Sequence, residues 1–221
     1  MTDPHMTADR DRGTEVWSSI HAERAALAAD LGDLTTDEWA TPSLCSGLTV
    51  REVLAHLTAS ASLNTMRWLA GVIRCRFDFD KQVAMRLAEH LGTTPAETLE
   101  RFRHIVPSRT KPALPAIAVL GETIVHAEDI RRPLGIRRDY PIEVVTRVAE
   151  YYRGTDLVVV AKGRIGGLEL VADDGPFTSG SGLLVSGPTM ALVMAMTGRA
   201  AYCNGLDGDG VELLRSRCEP A

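Results

Sequence analysis

Residues 121–129, GETIVHAED, set three carboxylates and a histidine behind an apolar run, LPAIAVL (114–120). Burying an ionisable group is costly unless it is paired or bound to a metal. This segment therefore either surfaces abruptly or meets a cation. On a helix, positions i and i+4 are neighbours on one face, so Glu122 and His126 can present a carboxylate and an imidazole together. A third ligand has to come from another segment. The candidate is His56 in VREVLAHLTAS, which also lies in an apolar helical stretch. Three such protein ligands leave one position for water or substrate, the arrangement of catalytic rather than structural zinc. Helical-bundle cores are a usual place for it. A plainer reading stands beside this one: a histidine on a mixed helix face is more often a satisfied structural residue. Spacing alone leaves both open.

Other reactive residues carry weaker signals. His21, His90 and His104 lie among Glu and Arg residues and read as surface positions. Asp129 with Arg131 or Arg132 reads as a helix-end ion pair, worth less than about 1 kcal/mol when exposed. Cys45 precedes a helix N-terminus, which can lower a thiol pKa and make a nucleophile; a buried loop cysteine is the plainer reading. Asp207-Gly-Asp209-Gly lacks the later ligands of a calcium loop and reads as a turn before the last helix. KGRIGG (162–167) and SGSG (179–182) lack the placement of a phosphate loop and read as hairpin turns.

The elements that must position these groups are mostly helices. Residues 14–32 carry Trp17, Ile20, Arg24, Leu27, Ala28 and Leu31 at helical spacing, a stripe for a bundle. After the turn-rich loop WATPSLCSG (39–47), Thr49 and Glu52 form a capping box ahead of a second helix. That helix is expected to run to about residue 75 through Leu63, Met66, Leu69 and Ile73. Thr94 and Glu97, with Pro95 at the first helical position, announce another. Residues 115–132 make the helix of Glu122 and His126, stopped by Pro133 and Gly135, and residues 141–152 make one more. After Gly154 the character changes. DLVVVAKGRIGGLELVADDG (156–175) has β-branched runs broken by glycines, which suits strands joined by tight turns. GLLVSGP (182–188) is a further strand, followed by helices over TMALVMAMTG and VELLRSR (211–217).

The expected fold class is α+β, mostly α: a metal-binding helical bundle over 13–153 and a small α+β domain over 154–221. The polar N-terminus has no apolar export segment, and its internal His-Met pair reads as a cloning scar, so residues 1–12 are set aside. At 221 residues the chain can bury a sizeable core. A net charge of −5 gives no basic field for nucleic acid or an anionic membrane. No apolar stretch approaches the roughly 20 residues that cross a bilayer. The four cysteines (45, 75, 203, 218) form no CxxC pair, which points to free thiols in a reducing cytoplasm.

WATPSLCSGLTVREVLAHL (39–57), followed by ETIVHAEDIRRPLG (122–135), resembles the mycothiol-dependent maleylpyruvate isomerase family, one of the DinB-like metal-binding bundle proteins. GLLVSGPTMALVMAMTGRAA (182–201) resembles the sterol-carrier-like domain of its longer members. The resemblance implies a DinB-like four-helix bundle with His56, Glu122 and His126 as ligands of Zn2+ or another divalent metal. It also implies mycothiol, a low-molecular-weight thiol of actinobacteria, as co-substrate. The activity expected is cis–trans isomerisation or S-transfer on a small electrophilic substrate. An anionic substrate would want a guanidinium, and Arg199, after Gly198, is the candidate; a helix-end arginine is its plainer reading. One departure is Leu48, where the family usually has Trp. A monomer or a homodimer is expected, with no nucleic acid or membrane as partner. The competing readings are a metal-dependent hydrolase that uses no thiol and a non-catalytic small-molecule-binding protein.

Overall fold

The computed structural model describes residues 4–66, 74 and 79–218, with the backbone alone for 4–12 and 79–83. The chain divides into two compact units, residues 1–137 and 138–221. The helix over 142–153 therefore falls in the second unit, although the change in sequence character comes after it.

The first unit holds α1 (Pro4–Asp30), α2 (Thr36–Trp39), α3 (Val50–Ala61), α4 (Phe79–His90), α5 (Pro95–Ile105) and α6 (Ala116–Arg131). Helix α1 begins inside the stretch set aside on sequence. Its stripe is buried as expected at Ile20, Arg24, Leu27 and Ala28, and so is Leu31 just past its end. Helix α3 packs against α4, α5 and α6, and α1 packs against α5 and α6. The shared core joins Leu27 of α1, and Leu31 just past its end, to Val53, Leu54 and Leu57 of α3, Leu99 and Phe102 of α5, and Ala127 and Ile130 of α6.

Local chemistry sets the helix starts. Thr49 and Glu52 close the full capping box at α3, each side chain satisfying the other's backbone N–H. Thr35 and Glu38 close an identical one at α2, a helix the sequence reading passed over. At α5 only half of the box forms. Thr94 accepts from the Glu97 N–H, but Glu97 turns to the backbone N–H of Thr93, at 2.6 Å.

Helix α3 is shorter than expected. It stops at Ala61, with Ser62 as its C-cap and the Ser62 hydroxyl bonded back to the Thr58 carbonyl at 2.8 Å. Serine competes with the helix in this way for backbone groups. Met66, expected on the buried stripe, is 76% exposed. Leu69 and Ile73 lie outside the described residues.

The second unit holds α7 (Ile142–Arg153), β1 (Leu168–Ala172), β2 (Thr178–Gly180), β3 (Leu183–Gly187), α8 (Thr189–Met196), a 3-10 helix (Ala200–Gly205) and α9 (Val211–Ser216). The sheet order is β2-β1-β3, with β1 antiparallel to β2 and parallel to β3. Helix α8 is apolar all round and buried from Ala191 to Met196; it packs on α7, the 3-10 helix, β1 and β3. Gly182, at φ 135°, immediately precedes β3 where a Cβ would lie 2.1 Å from the Gly167 carbonyl oxygen, so no side chain fits there.

The run LVVV (157–160) is a loop, not the expected strand. Leu157, Val158 and Val160 are exposed, and the chain bends back so that Lys162 N–H reaches the Thr155 carbonyl and Gly163 N–H reaches Asp156. Strand propensity there is not matched by a face to pack on.

Candidate metal centre

Helix α3 carries His56, and α6, which packs on it, carries Glu122 and His126 one turn apart. Their side chains converge. His56 Nε2 lies 3.5 Å from Glu122 Oε1, and the two imidazole rings meet edge to face with centroids 4.9 Å apart. One ligating atom from each of His56, Glu122 and His126 lies within 4.8 Å of the other two. Side-chain exposures are 22% for His56, 25% for Glu122 and 15% for His126. The group is thus recessed yet reachable from solvent.

Neighbouring residues aim these three. The Ser60 hydroxyl, one turn beyond His56, donates to Glu122 Oε1 at 2.7 Å. Asp129 Oδ2 holds His126 Nδ1 at 2.9 Å, and Asp129 is fully buried. Asp129 is in turn fixed by its own carbonyl, which accepts from the Leu44 N–H at 3.1 Å. A carboxylate on one ring nitrogen sets the tautomer and leaves the other nitrogen to ligate. Asp129 was read from sequence as a helix-end ion pair; its contact with His126 three residues back is the signal that spacing on a helix offered and that reading missed.

The electrostatics favour an anionic Glu122. Burial pushes its carboxyl up. The hydrogen bond to His56, the charges of His56 and His126 and the Ser60 hydroxyl outweigh burial and hold it at about 2. Arg24, buried on α1, adds positive field at Glu122 while donating to the Ser108 carbonyl at 2.9 Å.

The loop WATPSLCSG closes over this end of α6. Ser43 accepts from the Cys45 N–H and donates to the Leu48 carbonyl at 2.7 Å, and Pro42 bridges to Thr49 at the α3 cap. Cys45 Sγ comes within 4.8 Å of both His126 and Asp129. Leu48 packs, half-buried, against the core. His21 departs from the expected surface position: it is half-buried beside the Trp17 ring, centroids 5.9 Å apart, and burial lowers its pKa.

Residues 20–116 match the family described as the mycothiol maleylpyruvate isomerase N-terminal domain. The matched span lies wholly within the first unit, which is similar to that domain. The matched span includes His56 and ends before Glu122 and His126, which the structure brings to it. Two crystal structures of mycothiol-dependent maleylpyruvate isomerase, one of a histidine-to-alanine mutant, superpose with a TM-score of 0.61 at 17% identity. They cover 89% of this chain and 92% of theirs, and they show that the mostly helical α+β fold is shared with the isomerase. No curated protein matches the chain.

Arg199 belongs to the second unit. It follows Gly198, whose φ is 98°, at the end of α8. Its N–H donates to the Met194 carbonyl at 2.9 Å and its Nη1 to the Thr197 carbonyl at 2.7 Å. These bonds close the C-terminal end of α8. Among the described residues no helix is long and apolar enough to cross a membrane.

Proposed function

We propose that the chain is a metal-dependent enzyme of thiol chemistry, a mycothiol-dependent isomerase of the maleylpyruvate type, with His56, Glu122 and His126 holding a divalent cation, zinc in the first instance. The convergence of these three side chains carries the reading. Ligands on a tetrahedral zinc stand about 3.4 Å from one another, and the His56–Glu122 separation of 3.5 Å is already at that spacing. Two imidazoles and one carboxylate are also the donor set of catalytic rather than structural zinc. The family of the N-terminal unit and the shared fold support the thiol and the isomerase class.

A bound dication would supply a position at which a thiol is held as thiolate near neutral pH. The chain's own residues do the rest. His56 and His126 give nitrogen lone pairs, and Glu122 supplies the negative charge that favours a cation over a proton. Ser60 orients Glu122, and Asp129 fixes the tautomer of His126. Thiol addition to an electrophilic carbon, rotation about the bond made single and loss of the thiol convert a cis double bond to trans with no net redox change. The same arrangement performs S-transfer on a substrate that carries a leaving group.

The test is turnover of maleylpyruvate by the metal-loaded protein with and without mycothiol. Strict dependence on the thiol is expected. Equal activity without any thiol would instead indicate a hydrolase using metal-activated water.

A further inference from the structure

A second set of donor atoms meets at His126. One ligating atom from each of Cys45, His126 and Asp129 lies within 4.8 Å of the other two, and neither His56 nor Glu122 takes part. Helix α6 supplies His126 and Asp129, three residues apart and so on one face. Asp129 Oδ2 lies 2.9 Å from His126 Nδ1, so two of the donors already stand as close as neighbours in a coordination shell. The third comes from the loop over 39–47. The Leu44 N–H donates to the Asp129 carbonyl at 3.1 Å, which ties the residue before Cys45 to the backbone of α6. Cys45 itself is held at both ends. Its N–H donates to the Ser43 hydroxyl oxygen at 3.1 Å, and its carbonyl accepts from the Leu48 N–H at 3.1 Å. The sulfur is thus brought to the helix by a fastened backbone. Asp129 is fully buried and Cys45 half-buried.

We propose that Cys45, His126 and Asp129 form a second cation site, for a thiophilic dication such as Cd2+ or Zn2+, with His126 shared between the two sites through its two ring nitrogens. The donors select the cation. A thiolate favours soft ions, and imidazole and carboxylate complete three protein ligands with one position open. Hard ions such as Mg2+ and Ca2+, which take oxygen ligands, are not expected there. Thiolate and carboxylate together carry two negative charges, which a dication cancels, and that is the condition for keeping them buried.

Binding exchanges protons for the ion. A sulfur–metal bond replaces the Cys45 S–H bond, a nitrogen–metal bond replaces the N–H bond at His126 Nδ1, and both protons pass to solvent. No electron changes hands. His126 Nε2 stays with the His56 and Glu122 group, so the ring bridges two cations when both sites are filled.

The probe is Cd2+ alone, titrated into the metal-free full-length protein with no thiol added. The expected result is a thiolate-to-cadmium charge-transfer band in the ultraviolet, retained in His56→Ala, where the first group is broken, and lost in Cys45→Ser. Alkylation by iodoacetamide, mapped by peptide, needs no variant: saturating Cd2+ should block it at Cys45. A band that Cys45→Ser leaves unchanged would overturn the proposal, as would a Cys45 alkylated equally fast with and without Cd2+. Loss of the band in a folded His56→Ala would overturn it too, because the sulfur would then belong to the first cation. Failure of the first group shows separately, as a Cys45→Ser protein that takes up no cation while the wild-type band remains; that result leaves the second site standing.

Discussion

Helix α6 buries charge at two places, and they are built in opposite ways. At its C-terminal end the fully buried Arg131 donates through Nε to Asp30 Oδ2 of α1 at 2.8 Å. Donor meets acceptor, and the charges cancel between two helices. Earlier on the same helix Glu122 and His126 face His56, and one ligating atom of each lies within 4.8 Å of the others. The first arrangement sets a cation directly against an anion, Arg131 Nη2 lying 2.7 Å from Asp30 Oδ2. The second brings two imidazoles and a carboxylate together, the group proposed above to hold a cation. The contrast separates charge that holds the fold together from charge that the fold holds in place for chemistry.

Substitutions at the two places should behave as differently as the places are built. The largest effect is expected from His56→Ala and His126→Ala. Each should abolish retention of a dication through dialysis, read by elemental analysis, while the helical circular dichroism is kept. Arg131→Ala should do the reverse. Removing one partner of a buried pair strands the other, so a loss of about 3 kcal/mol is expected in chemical unfolding, with metal still bound by the folded fraction.

These two expectations also show what could be read from the chain. Glu122 and His126 were legible because a helix brings i and i+4 together, and the full Thr49–Glu52 cap placed His56 on a helix. Asp129 was misjudged because its neighbours Arg131 and Arg132 offered a nearer explanation than His126. The loop over 157–160 was misjudged because β-branched residues state a preference for strand but not whether a face awaits them. Ser62, which ends α3, competes for the backbone in a way that an apolar stripe does not report.

Asp129→Asn sharpens the comparison from within the proposed centre. It keeps the size but weakens the hold on His126 Nδ1, and a 10–100-fold loss of metal affinity is expected, read by competition with a chromogenic chelator. A loss of stability without any change in affinity would move Asp129 to the structural side. The smallest effect belongs to Thr49→Ala, which opens the capping box of α3. About 1 kcal/mol of stability should go, with metal affinity within twofold of wild type, because His56 lies two turns further along the helix.

The most direct measurement is the visible absorption spectrum of the cobalt-substituted protein titrated with mycothiol. The account predicts a tetrahedral cobalt spectrum that gains a sulfur-to-metal charge-transfer band on thiol addition, with neither feature in His126→Ala. A spectrum that mycothiol leaves unchanged, or a wild-type protein that takes up no cobalt, would contradict it.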